Sequence, residues 1–279
     1  MRIIDARSRP PIPAFLGDRT YAANLEGTIA NVRARGWEPP PSLEDRSLDL
    51  FWREMDAAGI ETACVPARVP NRWWGGTGND GVFEVCGASE RLLAYGALNP
   101  YDDPGAADAV AGLKARGAVG IVVEPGIADE PAYVDDPRID PLCEACRAES
   151  LPLLIMAGGE AGPDLSYCDP VLLDRLAVRH PNLQIVNVHG GWPYAQEALG
   201  VAFRRRNVWY LSDVYFPNLP GEADILLAMR TFLQDRFLFS SGYPFCPLEA
   251  IVERYLSFGL PDRVLENVMG ANAARLFGL

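Results

Sequence analysis

Eight short apolar runs recur along this chain, at residues 2–5, 62–66, 92–98, 118–125, 151–158, 183–191, 208–214 and 237–242, each separated from the next by a stretch that reads as helix. Parallel strands need a long crossover between them, so this alternation predicts a parallel sheet. Eight such units close into a (β/α)8 barrel, and 279 residues suit one barrel of about 250 residues as a single domain. A doubly wound sheet with a small appendage is the other architecture open to the pattern. The longest departure is a Pro-rich excursion over residues 10–42, which the length marks as an inserted loop covering the site or meeting a partner.

Charge narrows the partners. A formal net charge of −12 and a sequence pI near 4.7 argue against nucleic acid. No apolar run approaches the roughly 18 residues of a membrane span, and the chain enters a strand without a charged and apolar leader, so a cytoplasmic location is expected. The six cysteines are then expected to be free buried thiols; Cys143 and Cys146 form one CxxC within a helix, with no second pair to complete a zinc site.

In a barrel the chemistry sits where strands end. His189 closes the sixth run and is followed by GGWP, a turn that keeps its imidazole near the cavity, with Trp192 beside it. A neutral imidazole suits a general acid or base; the alternative is a structural histidine donating to a carbonyl. Asp213 and Tyr215 end the seventh run; Asp213 either orients His189 or bridges to an arginine. Tyr243 follows the eighth run, and Trp73 and Trp74 stand beside glycines in a loop that either covers an organic substrate or packs back on the barrel. His180 precedes Pro181 at a helix end and is read as structural. There is no phosphate-binding loop and no Gly-x-Ser-x-Gly elbow.

The segments DPRIDPLCEACRAESLPLLIMAGG, HPNLQIVNVHGGWP, RFLFSSGYPF and ENVMGANAARLFGL together resemble the amidohydrolase-related family, which includes aminocarboxymuconate-semialdehyde decarboxylase-like enzymes and related hydrolases. The resemblance implies an amidohydrolase-like barrel holding a divalent metal. Its ligands would be a His-x-His after strand 1, a histidine after strands 5 and 6, and an aspartate after strand 8. At the matching positions this chain has Arg7 and Arg9, Met156, His189 and Gly242. Guanidinium has no lone pair to give, glycine has no side chain and thioether is a poor zinc ligand. No metal and no other cofactor are therefore expected.

The match also turns Arg7 and Arg9 toward the barrel interior. At about 7 Å apart their charges would repel by roughly 2 kcal/mol at an effective dielectric near 20, so Asp5, Glu124, Asp213 or a bound anion must offset them. These residues define the expected site: Arg7 and Arg9 as anion clamp and oxyanion stabiliser, His189 and Asp213 as proton carriers, and Glu124, Tyr215, Tyr243, Trp73, Trp74, Met156 and Trp192 around a small carboxylate. Lactone or amide hydrolysis, decarboxylation-type C–C cleavage, isomerisation and cyclisation stay open, as does a barrel kept only to bind a ligand or regulate. Barrels of this family often pair, which makes a homodimer an expected assembly.

Overall fold

The computed structural model describes residues 1–76 and 78–279. Seven parallel strands follow one another in chain order: β1 (Ile4–Asp5), β2 (Thr62–Pro66), β3 (Leu92–Ala97), β4 (Gly120–Val123), β5 (Leu153–Met156), β6 (Ile185–Val188) and β7 (Val208–Tyr210). Nearly every strand residue is buried, as expected where side chains pack against helices on one side and fill a barrel on the other. The sheet curls until its edges meet across residues 237–243. Leu238 N–H donates to the Tyr210 carbonyl and Ala6 N–H to the Phe239 carbonyl, each at 2.9 Å. Further along, Gly242 N–H reaches the Arg7 carbonyl at 3.1 Å and Arg9 N–H the Tyr243 carbonyl at 3.0 Å. The eighth run thus closes the barrel as predicted, but through isolated bridges rather than a continuous ladder. Its serines turn inward, Ser240 Oγ donating to the Arg7 carbonyl and Ser241 to the Asp5 carboxylate, and Gly242 takes a left-handed φ of 62°.

Two segments differ from the sequence reading. Residues 10–42 are not a plain loop: they contain helices Pro13–Leu16 and Leu25–Ala34 and form an arm over the C-terminal ends of the strands. The amphipathic spacing of residues 43–58, closed by Gly59, reads as one helix, but that helix starts late, as Leu48–Ala57, because Arg46 is left-handed (φ 52°) and Ser47 caps the next turn by accepting from Leu50 N–H. A buried hydroxyl pair, Ser42 Oγ and Tyr243 Oη at 2.6 Å, fastens the end of the arm to the barrel. All six cysteines are free and buried, and no helix of the described residues is long and apolar enough to cross a membrane.

Candidate active site

Strand ends carry the groups of this site in sequence: Arg7 and Arg9 follow β1, Arg68 follows β2, Glu124 follows β4, the apolar Met156 ends β5, His189 follows β6 and Asp213 follows β7. They surround a cleft of about 160 Å³ at the C-terminal face, roofed by the arm. Arg7, Arg9, Glu124, Met156, His189, Tyr215 and Trp74 all line it.

His189 is held in an unusual backbone conformation for a residue with a side chain, φ 67°. Such a conformation costs roughly 1–3 kcal/mol and persists only where the surroundings impose it. Here it aims Nδ1 at Asp213 Oδ1, 2.8 Å away. Asp213 is fully buried; burial alone would raise its pKa, but the charges of His189 and Arg7 and the hydrogen bonds from His189 and Val214 N–H outweigh it and hold the carboxyl at about 2. An ionised carboxylate only accepts, so Nδ1 carries the proton and Nε2 is left for the cleft. Its second oxygen, Oδ2, lies 3.0 Å from Arg7 Nη1; the approach is off-axis for a hydrogen bond, and the contact is Coulombic.

The opposite side belongs to Glu124. Arg68 grips it with two parallel bonds, Nε to Oε2 at 2.9 Å and Nη2 to Oε1 at 2.8 Å. Burial pushes Glu124 upward, but Arg68, then Arg9 and Arg7, bring it down to about 2. Arg9 gains much less, since its nearest approach to Glu124 is 3.9 Å. All three of its guanidinium nitrogens are buried without a hydrogen-bond partner, and one face rests on the Phe15 ring. Burial, then the charge of Arg68, push its pKa well below the usual range. Arginine keeps its proton in proteins, so the physical content of that shift is a cation short of negative partners.

Asp5 does not neutralise the arginines by direct contact. It turns beneath the site, accepting from Arg7 N–H and from Ser241 N–H and Oγ, and burial raises its pKa to about 7 despite those bonds. Three expected site residues lie elsewhere. Tyr243 is fully buried outside the cleft against Phe51 and Ser42, because alternation along the eighth segment turns it toward the surrounding helices. Trp73 faces solvent at 45% exposure, with Arg72 over its ring. Trp192 stands behind the cleft wall, stacked on Tyr215 at 5.1 Å and 9°. Trp74 does face the cleft, with the guanidinium groups of Arg68 and Arg19 against its ring at 5.4 and 5.2 Å. His180 is structural, its ring between Asp140 and Glu144.

Sequence reasoning missed Arg68 and Arg35. Arg68 carried a signal, standing two residues past the end of β2 just as Arg7 stands two past β1. Arg35 carried none, because the arm's fold alone brings it over the Tyr215 and Phe245 rings.

The cleft does not fit the divalent metal of the resemblance. Among the described residues no group of three His, Cys, Asp or Glu side chains could hold an ion. Gly242 excludes the strand 8 aspartate physically: a Cβ there would lie 2.5 Å from Val214 Cγ1 and 2.7 Å from its backbone N, at a left-handed φ that disfavours any side chain.

A family model described as amidohydrolase matches residues 40–279. Among solved structures, an uncharacterised TIM-barrel protein from Bordetella bronchiseptica is 36% identical with a TM-score of 0.95, covering 100% of this chain and 99% of that one. A 2,6-dihydroxybenzoate decarboxylase from Rhizobium is 20% identical with a TM-score of 0.71, covering 100% and 99%. A dihydroxybenzoic acid decarboxylase from Polaromonas sp. JS666, solved with manganese and the inhibitor 2-nitroresorcinol, is 18% identical with a TM-score of 0.67, covering 100% and 97%. No curated protein matches the chain. With β/α order, closure and nearly all of the barrel in agreement, the chain belongs to the amidohydrolase family.

Proposed function

We propose that this protein is a metal-independent member of its family that acts on a small organic carboxylate, with decarboxylation-type C–C cleavage as its reaction. The observation that carries the anion is Arg9, a buried guanidinium lining the cleft with three nitrogens unpartnered. A carboxylate bridging Arg9 and Arg68 would fill those donors and lift the charge penalty. His189 supplies the proton. Protonated at both nitrogens, it gives the Nε2 proton to the carbon bearing the leaving carboxylate and becomes the neutral Nδ1–H imidazole; the C–C bond breaks, CO2 departs, and that bond's electron pair is replaced on carbon by the new C–H bond. Asp213 stabilises the imidazolium beforehand, and Arg7 fixes Asp213. The decarboxylases among the structural neighbours favour this reaction. The donor set points the same way, since one histidine beside arginines cannot assemble the metal-activated hydroxide that hydrolysis at neutral pH ordinarily uses.

The test is to incubate purified protein with hydroxybenzoates and other small aromatic and aliphatic acids, with and without chelator, and to follow CO2 release. Chelator-resistant CO2 release that is lost in His189→Asn supports the reading. Release that disappears on chelation and returns with added manganese would overturn metal independence. Acid consumption without CO2, with ring or amide opening, would assign hydrolysis instead.

A further inference from the structure

We infer that Arg35 is a specificity residue that reads a second negative group, so the substrate is a dianion rather than a monocarboxylate. This rests on the carboxylate reading above and extends it to substrate class. Arg35 lies on the arm, outside the family match at residues 40–279. It caps the C-terminal end of helix Leu25–Ala34, and its guanidinium lines the same cleft as Arg9.

The placement is built. Arg35 Nε donates to Asn31 Oδ1 at 2.8 Å, which sets the side chain, and Asn218 Nδ2 donates to the Arg35 carbonyl at 3.0 Å, which ties the arm down. The guanidinium plane sits 5.5 Å from the Tyr215 ring and 5.9 Å from the Phe245 ring. Nη1 is buried and has no hydrogen-bond partner among the described residues. Stacking and one asparagine hold the fork in place while its end stays unfilled. A second acidic group on the ligand is what that fork matches.

The two cationic points stand on different walls. Arg9 and Arg68 follow β1 and β2, whereas Arg35 packs on Tyr215 and Phe245, which follow β7 and the eighth segment. Met156 and His189, an apolar surface and the proton carrier, line the same cleft. A flat molecule with an acid at each end spans this arrangement and presents its middle to His189. Arg19, the other cation at the mouth, is exposed and solvated with its ring contact on Trp74, and lacks the buried free nitrogen that marks Arg35.

Binding of benzoate, benzene-1,3-dicarboxylate and benzene-1,4-dicarboxylate to the full chain, measured calorimetrically at fixed ionic strength, tests this. One dicarboxylate is expected to bind about tenfold or more tighter than benzoate, since a charge-assisted hydrogen bond contributes at that scale. In Arg35→Gln that ratio should fall to near unity, Arg35→Lys should restore part of it, and Arg19→Gln should leave it high. Equal binding of all three acids, a ratio untouched by Arg35→Gln, or a ratio that follows Arg19 instead overturns the inference while leaving the carboxylate reading in place. If the unsubstituted protein binds none of the acids, or if Arg9→Gln leaves benzoate binding unchanged, the carboxylate reading itself falls, and this inference with it.

Discussion

His189 Nδ1 lies 2.8 Å from Asp213 Oδ1, inside a barrel where Asp213 is fully buried and held ionised at a pKa of about 2. Because Asp213 also neutralises Arg7, one carboxylate fixes a tautomer and a charge at once. His189→Asn is expected to lower turnover by about 10²–10⁴ while changing ligand affinity little. Asp213→Ala is expected to lose turnover similarly and also to cost about 3–5 kcal/mol in urea denaturation, since it strands Arg7. Equal stability of the two variants would show that Arg7 does not depend on Asp213.

Arg9 should show the reverse sign. Burial and Arg68 disfavour its cation and no hydrogen bond holds it, so Arg9→Gln is expected to leave stability unchanged or raise it. The same variant should weaken benzoate binding by about tenfold or more. Loss of stability without loss of affinity would make Arg9 architectural.

Gly159 is where the Tyr215 wall meets the end of β5. A Cβ at this residue would fall 1.7 Å from Tyr215 Oη, at φ 67°, so Gly159→Ala must push the ring away from its stack on Trp192 and its edge contact with His189. The backbone strain alone is about 1–2 kcal/mol. We expect a lower melting temperature and an altered near-ultraviolet circular dichroism spectrum from Trp192. An unchanged spectrum would show that Tyr215 has room to spare.

Asp5 makes stability depend on pH. The folded carboxyl keeps its proton up to about 7, whereas the unfolded one loses it near 3.8. Between those values the folded state binds the extra proton, so its stability is complete below about pH 4 and declines as pH rises toward 7, by roughly 1.4 kcal/mol per pH unit at most. Asp5→Asn, which still accepts from Ser241, should flatten the profile over that window. Asp213 and Glu124 act in the other direction, since their depressed values remove stability only as pH falls from about 4 toward 2.

The order of β and α runs was enough to state the barrel, because parallel pairing and closure follow from local periodicity repeated eight times. The ends of those runs also pointed to His189, Asp213 and Glu124, while it took the family resemblance to turn Arg7 and Arg9 inward. What the linear order could not carry was which acid meets which base. Glu124 belongs first to Arg68, the apparent partner Arg9 is left 3.9 Å away, and Tyr243 turns outward by the alternation of a segment whose register is set only at closure. The arm is the extreme case. Its helices and its anchors at Ser42 and Asn218 bring Arg35 onto Tyr215, a residue 180 positions later in the chain. Pairing among buried charges depends on ångström distances between chain-distant atoms in a low-dielectric interior, so tertiary packing alone decided it.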